Sequence, residues 1–173
     1  MYALVVYESM FGNTRQIAEA VAEGLGSAME VRVVEVGAAP PVVGEDVALL
    51  VVGGPTHAFG MSRVSTRQSA ARQADGPLVS QGRGLREWLA DLRTSSPLLG
   101  SAAFDTRVYK PRLPGSAARA VARRLRAAGV RMVVPAQSFY VTGTPGPLVG
   151  GEADRARRWG EGLAASYATS SAA

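Results

Sequence analysis

The chain contains no cysteine, which removes disulfides, iron–sulfur clusters, thiolate zinc sites and cysteine nucleophiles together and accords with a reducing cytoplasm. It holds a single histidine, His57, so a multi-histidine metal site is excluded as well. No apolar run approaches the roughly 20 residues that span a bilayer. The opening MYALVVYES lacks the basic start and small-residue cleavage site of a signal peptide and reads as a buried strand. Aromatic residues make up only 6%, too few for a base-stacking platform, and no nucleic-acid motif is present. Acidic residues are outnumbered, 14 against 19 basic ones, giving a net charge of +5; all the basic residues except Lys110 are arginine. Such a surplus either draws a protein toward acidic partners, nucleic acid or an anionic membrane face, or simply solubilises helix faces. Arg119, Arg123, Arg124 and Arg126 gather on one predicted helix. Hydrolase chemistry is not indicated: there is no Ser-His-Asp order and no pair of catalytic carboxylates.

What is present suits one domain. With 47% hydrophobic residues the chain can bury a continuous core, which we place over residues 1–167, with 168–173 as a frayed tail. Tyr2–Tyr7 is apolar without alternation and predicts a fully buried strand. Asn13–Leu25 has helical spacing, with Ile17, Val21 and Leu25 every fourth residue. Glu30–Val36 alternates in part, as a strand near a sheet edge does, and Asp46–Val52 is the most apolar strand. Leu85–Arg93 and Ser116–Ala128 read as helices on either side of a strand at Ser101–Thr106. Met132–Val141 reads as a fifth strand that Pro135 confines to an edge or breaks. Glu152–Tyr167 closes the chain as a helix. Gly53–Gly84 is a long polar stretch whose residues 66–73 could turn helically; we read it as a surface excursion.

Strands alternating with helices predict an α/β fold, a doubly wound five-stranded parallel sheet with helices on both faces. Proline in the fifth strand favours the order 2-1-3-4-5, which leaves that strand at an edge and brings the ends of strands 1, 3 and 4 to one crevice.

Three loops meet there. After strand 1 comes Ser9-Met10-Phe11-Gly12-Asn13-Thr14, running into a helix start whose free N–H groups suit an anion. The loop has neither the Gly-Lys-Ser/Thr of a P-loop nor G-x-G-x-x-G, so neutral donors for a single terminal phosphate remain, unless Ser9, Asn13 and Thr14 are only helix caps. The third strand ends in Gly53-Gly54-Pro55-Thr56-His57-Ala58-Phe59-Gly60, a pre-shaped turn in which Phe59 can offer a ring face to a planar ligand. The fourth ends in Asp105-Thr106-Arg107, where a local Asp105–Arg107 ion pair is the plain structural alternative.

Tyr7 to Thr14 resembles the phosphate loop of the flavodoxin family, and the second and third loops are similar to those of a flavodoxin-like subfamily of high-GC bacteria. The resemblance extends through Gly143-Thr144-Pro145-Gly146. It implies FMN as the cofactor, with the phosphate on Ser9–Thr14 and the ring between Pro55–Gly60 and Asp105–Arg107. Two departures stand out. Many flavodoxins stack a tyrosine from the fourth-strand loop on the flavin, whereas here Tyr109 comes late; and short-chain flavodoxins are typically acidic.

The function this implies is electron transfer between a reductase and an acceptor enzyme, with no nucleic acid and no membrane span. The alternative is an FMN-dependent oxidoreductase acting on a quinone or a similar planar substrate. His57 could then move a proton near the ring or contact a quinone, where its other role is structural hydrogen bonding.

Overall fold

In the computed structural model, which describes residues 1–172, apolar strands and amphipathic helices alternate along the chain. The strands are β1 (Tyr2–Tyr7), β2 (Val31–Glu35), β3 (Val42–Val43), β4 (Val47–Pro55), β5 (Arg93–Thr94), β6 (Gly100–Val108), β7 (Arg131–Met132) and β8 (Gln137–Val141). The helices are α1 (Asn13–Leu25), α2 (Val64–Gln73), α3 (Leu85–Asp91), α4 (Ala117–Ala127) and α5 (Glu152–Ala172).

The main sheet is parallel throughout, in the order β2-β1-β4-β6, with β7 and β8 both pairing along β6. Taking β7 and β8 as two halves of one strand, this is the 2-1-3-4-5 order expected. The break falls at residues 133–136 and includes Pro135, whose missing N–H cannot feed a ladder. The small parallel pair β3–β5 lies apart from the main sheet.

Burial on both faces explains why β1 and β4 are apolar without alternation. One face packs Ile17, Val21 and Leu25 of α1 and Ala156 and Leu163 of α5 against Val5, Val51 and Phe104. The other packs Leu85 and Trp88 of α3 and Val121 and Leu125 of α4 against Val6, Leu50 and Val52. Helices α1 and α5 cross in close contact, backbone on backbone. A Cβ on Gly24 would strike the Arg157 carbonyl, and one on Gly160 would strike the Val21 carbonyl.

Two elements exceed their sequence reading. Helix α5 continues past Tyr167 to Ala172, so residues 168–172 of the expected frayed tail are helical, while residue 173 lies outside the described residues. The excursion holds a full helix, α2, which begins at Val64.

Candidate functional site

The carboxyl ends of β1, β4 and β6 open into one cleft, joined by the turn after β8. Counted together with its open mouth, the space amounts to about 440 Å³. Ten of the expected residues line it: Ser9, Met10, Phe11, Asn13, Thr14, Pro55, Thr56, His57, Thr106 and Arg107. Three more were missed, namely Val108, Val141 and Thr144. Val108 and Val141 sit opposite each other where β6 pairs β8, so only the strand register brings them to the cleft. Thr144 belongs to the Gly143–Gly146 turn.

The first loop is shaped around the start of α1. Gly12 holds φ 98°, a left-handed conformation that favours glycine, and its N–H donates to Ser9 Oγ (3.1 Å). Ser9 is fully buried. Thr14 is buried too, its hydroxyl 2.7 Å from that of Thr106, which ties the first loop to the third. Asn13 reaches across to the fourth loop, where Nδ2 donates to the Pro145 carbonyl (3.2 Å). Among the described residues, α1 opens with no side-chain cap on its first-turn N–H groups. Helix α2 also opens without a side-chain cap, but its start at Arg63–Ser65 is exposed to solvent, whereas α3 and α4 are capped from within the chain. At α4, Ala117 N–H donates to Thr56 Oγ1, Ala118 N–H to Asp105 Oδ2 and Arg119 N–H to Ser116 Oγ. At α3, Leu85 N–H donates to Glu8 Oε1. The start of α1 thus brings unmatched first-turn N–H groups to the cleft, the arrangement that suits an anion.

The α4 cap gives the Asp105 carboxylate a role the sequence did not suggest and rules out the ion pair with Arg107. The carboxylate does not line the cleft, because along a strand it faces away from its neighbour Thr106. Oδ2 accepts from Thr56 (3.0 Å), Ser116 (2.5 Å) and Ala118 N–H (3.0 Å), so Asp105 fastens the second loop to α4 from behind. Arg107 instead donates to the Leu113 carbonyl. In the second loop, His57 and Gly60 exchange backbone hydrogen bonds (2.8 and 3.0 Å) around a tight turn. Ala58 and Phe59 adopt φ 43° and 72°, uncommon for residues with a side chain. The turn lifts Phe59 to the rim, where it is 56% exposed and forms an adjoining hollow with Ala58, Leu113 and Pro114. His57 Nδ1 lies 3.1 Å from Thr66 Oγ1, and burial, aided by the charge of Arg67, lowers the imidazole pKa below its usual 6.5.

The flavodoxin family model matches residues 5–161. The chain belongs to the flavodoxin family. Solved structures with the same fold include a flavodoxin from the domain Archaea (20% identity, TM-score 0.65, 97% of this chain and 99% of that one). Oxidised flavodoxin 1 from Bacillus cereus shares 15% identity at TM-score 0.65, with 98% of each chain covered. The flavodiiron core of Flv1 from Synechocystis sp. PCC6803 matches 98% of this chain with 36% of its own, at 17% identity and TM-score 0.64. A comparison with curated proteins finds no match.

The cofactor of a flavodoxin is FMN. The residues present fit it: an uncapped helix start with a left-handed glycine beside buried Ser9 suits a terminal phosphate, and the slot between the second and third loops suits a flat ring.

Sequence reasoning missed what holds this flavodoxin's cleft in place. Glu8, one residue before the phosphate loop, is buried; it accepts from Ser62 Oγ (2.5 Å) and from Leu85 N–H (2.9 Å). Burial raises its pKa, against the pull of those hydrogen bonds and of Arg67. Arg67 donates to Ser62 (2.8 Å) and pairs with Glu87 (2.5 Å). The excursion thus leans on the first loop from outside. Val79 and Ser80 N–H donate to the Met10 and Ser9 carbonyls, and Ser9 N–H donates to Ser80 Oγ (3.0 Å). Met10, Ala70 and Leu78 form a small separate core beneath it.

Proposed function

We propose that this flavodoxin binds FMN in the cleft and carries electrons between a reductase and an acceptor protein in the cytoplasm. The observation that carries the reading is the contrast between helix starts: α3 and α4 are capped from within the chain, while α1 opens uncapped into the cleft. Ser9–Thr14 hold the phosphate through the Asn13 and Thr14 N–H groups that no side chain caps, beside the Ser9 hydroxyl that accepts from Gly12 N–H. Pro55–Gly60 and Thr106–Arg107 border the ring. Asp105 acts as a positioning residue that fixes Thr56 and α4 behind the second loop. Bound FMN supplies reversible uptake of one or two electrons. His57, neutral near pH 7 and tied to Thr66, orients the turn that carries Phe59. Among the described residues, no helix is long and apolar enough to cross a membrane.

The test uses the purified chain with FMN. It should bind the flavin, accept electrons from a flavoprotein reductase supplied with NADPH, and deliver them to an oxidised haem protein at a rate proportional to that acceptor. A chain that stays colourless in excess FMN overturns the reading. Steady quinone reduction with NADPH and no second protein would replace it with the oxidoreductase alternative.

A further inference from the structure

The charge of this chain is segregated. Eight of its 19 basic residues and none of its 14 acidic ones fall within residues 106–151: Arg107, Lys110, Arg112, Arg119, Arg123, Arg124, Arg126 and Arg131. The rest of the chain, with 11 basic against 14 acidic residues, is net negative. Ion pairing follows the same division. Among the described residues, all ion pairs join residues outside the segment, at Arg15, Arg32, Arg67, Arg83, Arg155 and Arg157. The eight cations are therefore uncompensated, and all except half-buried Arg107 are exposed.

Seven of them run from the cleft mouth along α4, and Arg131 alone lies at the amino end of the sheet beside Gly100. The segment begins at the end of β6, forms one side of the cleft mouth, and continues into α4. Arg119, Arg123 and Arg126 repeat at helical spacing on the solvent face of α4. Across from α4, Arg86 is half-buried beside Arg63 and Arg124; burial first, then these two charges, lowers its pKa. Arg63 and Arg86 thereby extend the basic face past the segment that founds it.

At the cleft mouth the same face carries exposed apolar side chains. Phe59 is 56% exposed, Leu113 51% and Tyr109 40%, with Lys110 over the Tyr109 ring (5.5 Å). Phe59 and Leu113 line one hollow together with Arg107. An apolar centre at the cofactor's edge inside a charged border is the anatomy of a protein–protein interface.

Resting on the carrier reading above, we infer that the cleft mouth and α4 form one docking surface for a soluble redox protein with an acidic face around its own redox centre. Phe59 and Leu113 supply the apolar contact. Lys110, Arg112 and the α4 arginines steer the encounter. A basic partner is repelled by the same field, which gives the surface its selectivity.

The probe is reduced plant-type [2Fe–2S] ferredoxin, an acidic one-electron donor. One electron passes from its cluster to the bound FMN, oxidising the cluster and reducing the flavin, and the second-order rate is followed from 20 to 300 mM NaCl. We expect the rate to fall about tenfold or more over that range, as electrostatically steered encounters do. Basic cytochrome c, oxidising the reduced protein, should instead react faster as salt rises. Lys110→Glu with Arg112→Glu should slow the ferredoxin reaction about tenfold at low salt and flatten its salt dependence. Arg123→Glu with Arg124→Glu, on α4 and away from the loops of the cleft, should do the same in part, and Arg158→Glu on α5 should change neither.

Fast transfer without salt dependence, or a dependence unaltered in both double variants, overturns the docking surface and leaves the carrier role standing. Equally slow transfer with both proteins at every ionic strength overturns the carrier role itself. Retention of a DNA duplex with no salt effect on ferredoxin would assign the face to nucleic acid and overturn the proposal.

Discussion

His57 shows how much a residue's neighbours decide about its chemistry. As a lone histidine beside a cofactor slot it invites a role in proton transfer, yet its Nδ1 lies on Thr66 and its ring is mostly out of water. A depressed pKa means that the folded state holds the neutral ring. Its contribution to stability is therefore complete above pH 6.5 and declines as pH falls through the folded-state value. Because the chain has one histidine, its Cε1 proton resonance is unambiguous. Its NMR titration should have a midpoint below 6.5, and a midpoint at or above that value would contradict the burial of the ring. Asp105 carries a similar lesson. Residue type and position placed it in the third loop, but strand alternation turned its carboxylate to the far side, where it caps α4.

Local pattern alone was enough to read most elements. The periodicity of Ile17, Val21 and Leu25 gave α1 its observed bounds, and Pro135 marked the break between β7 and β8. The excursion was far less legible, because what organises it is long-range. Glu8 reaches Leu85 and Ser9 reaches Ser80, and no window of local sequence contains these pairs. The polar composition of residues 74–84 resembles an ordinary loop, although Ser80 is buried. A prediction at this scale treats the excursion as a buttress for the phosphate loop. Ser80→Ala removes the acceptor for the buried Ser9 N–H, and an unsatisfied buried donor costs about 1–3 kcal/mol. Stability to denaturant should fall by about that amount. FMN affinity, measured by quenching of flavin fluorescence, should fall roughly tenfold, since part of the cost is a looser loop. Full FMN affinity in a destabilised variant would show that the excursion braces the fold without shaping the cleft.

Across the whole molecule, the cleft exists only when β1, β4, β6 and the turn after β8 are in register, so nothing in the unfolded chain resembles it. A ligand that binds only the folded state stabilises it by mass action, about 2.7 kcal/mol at a concentration of 100 Kd. For a chain of 173 residues this corresponds to a rise in Tm of about 5–11 °C. FMN should produce it in thermal unfolding followed by circular dichroism. Riboflavin shares the ring but lacks the phosphate, so it can use the second and third loops and leaves the N–H groups of α1 unmatched. If those donors strengthen binding at least tenfold, riboflavin at the same concentration stabilises by about 1.4 kcal/mol less, and its shift in Tm is smaller by several degrees. Inorganic phosphate, which can use only the start of α1, should compete with FMN and far more weakly with riboflavin. Equal shifts from FMN and riboflavin would mean that the uncapped helix start contributes nothing to binding, and the cleft would then have to hold its ligand by the flat slot alone.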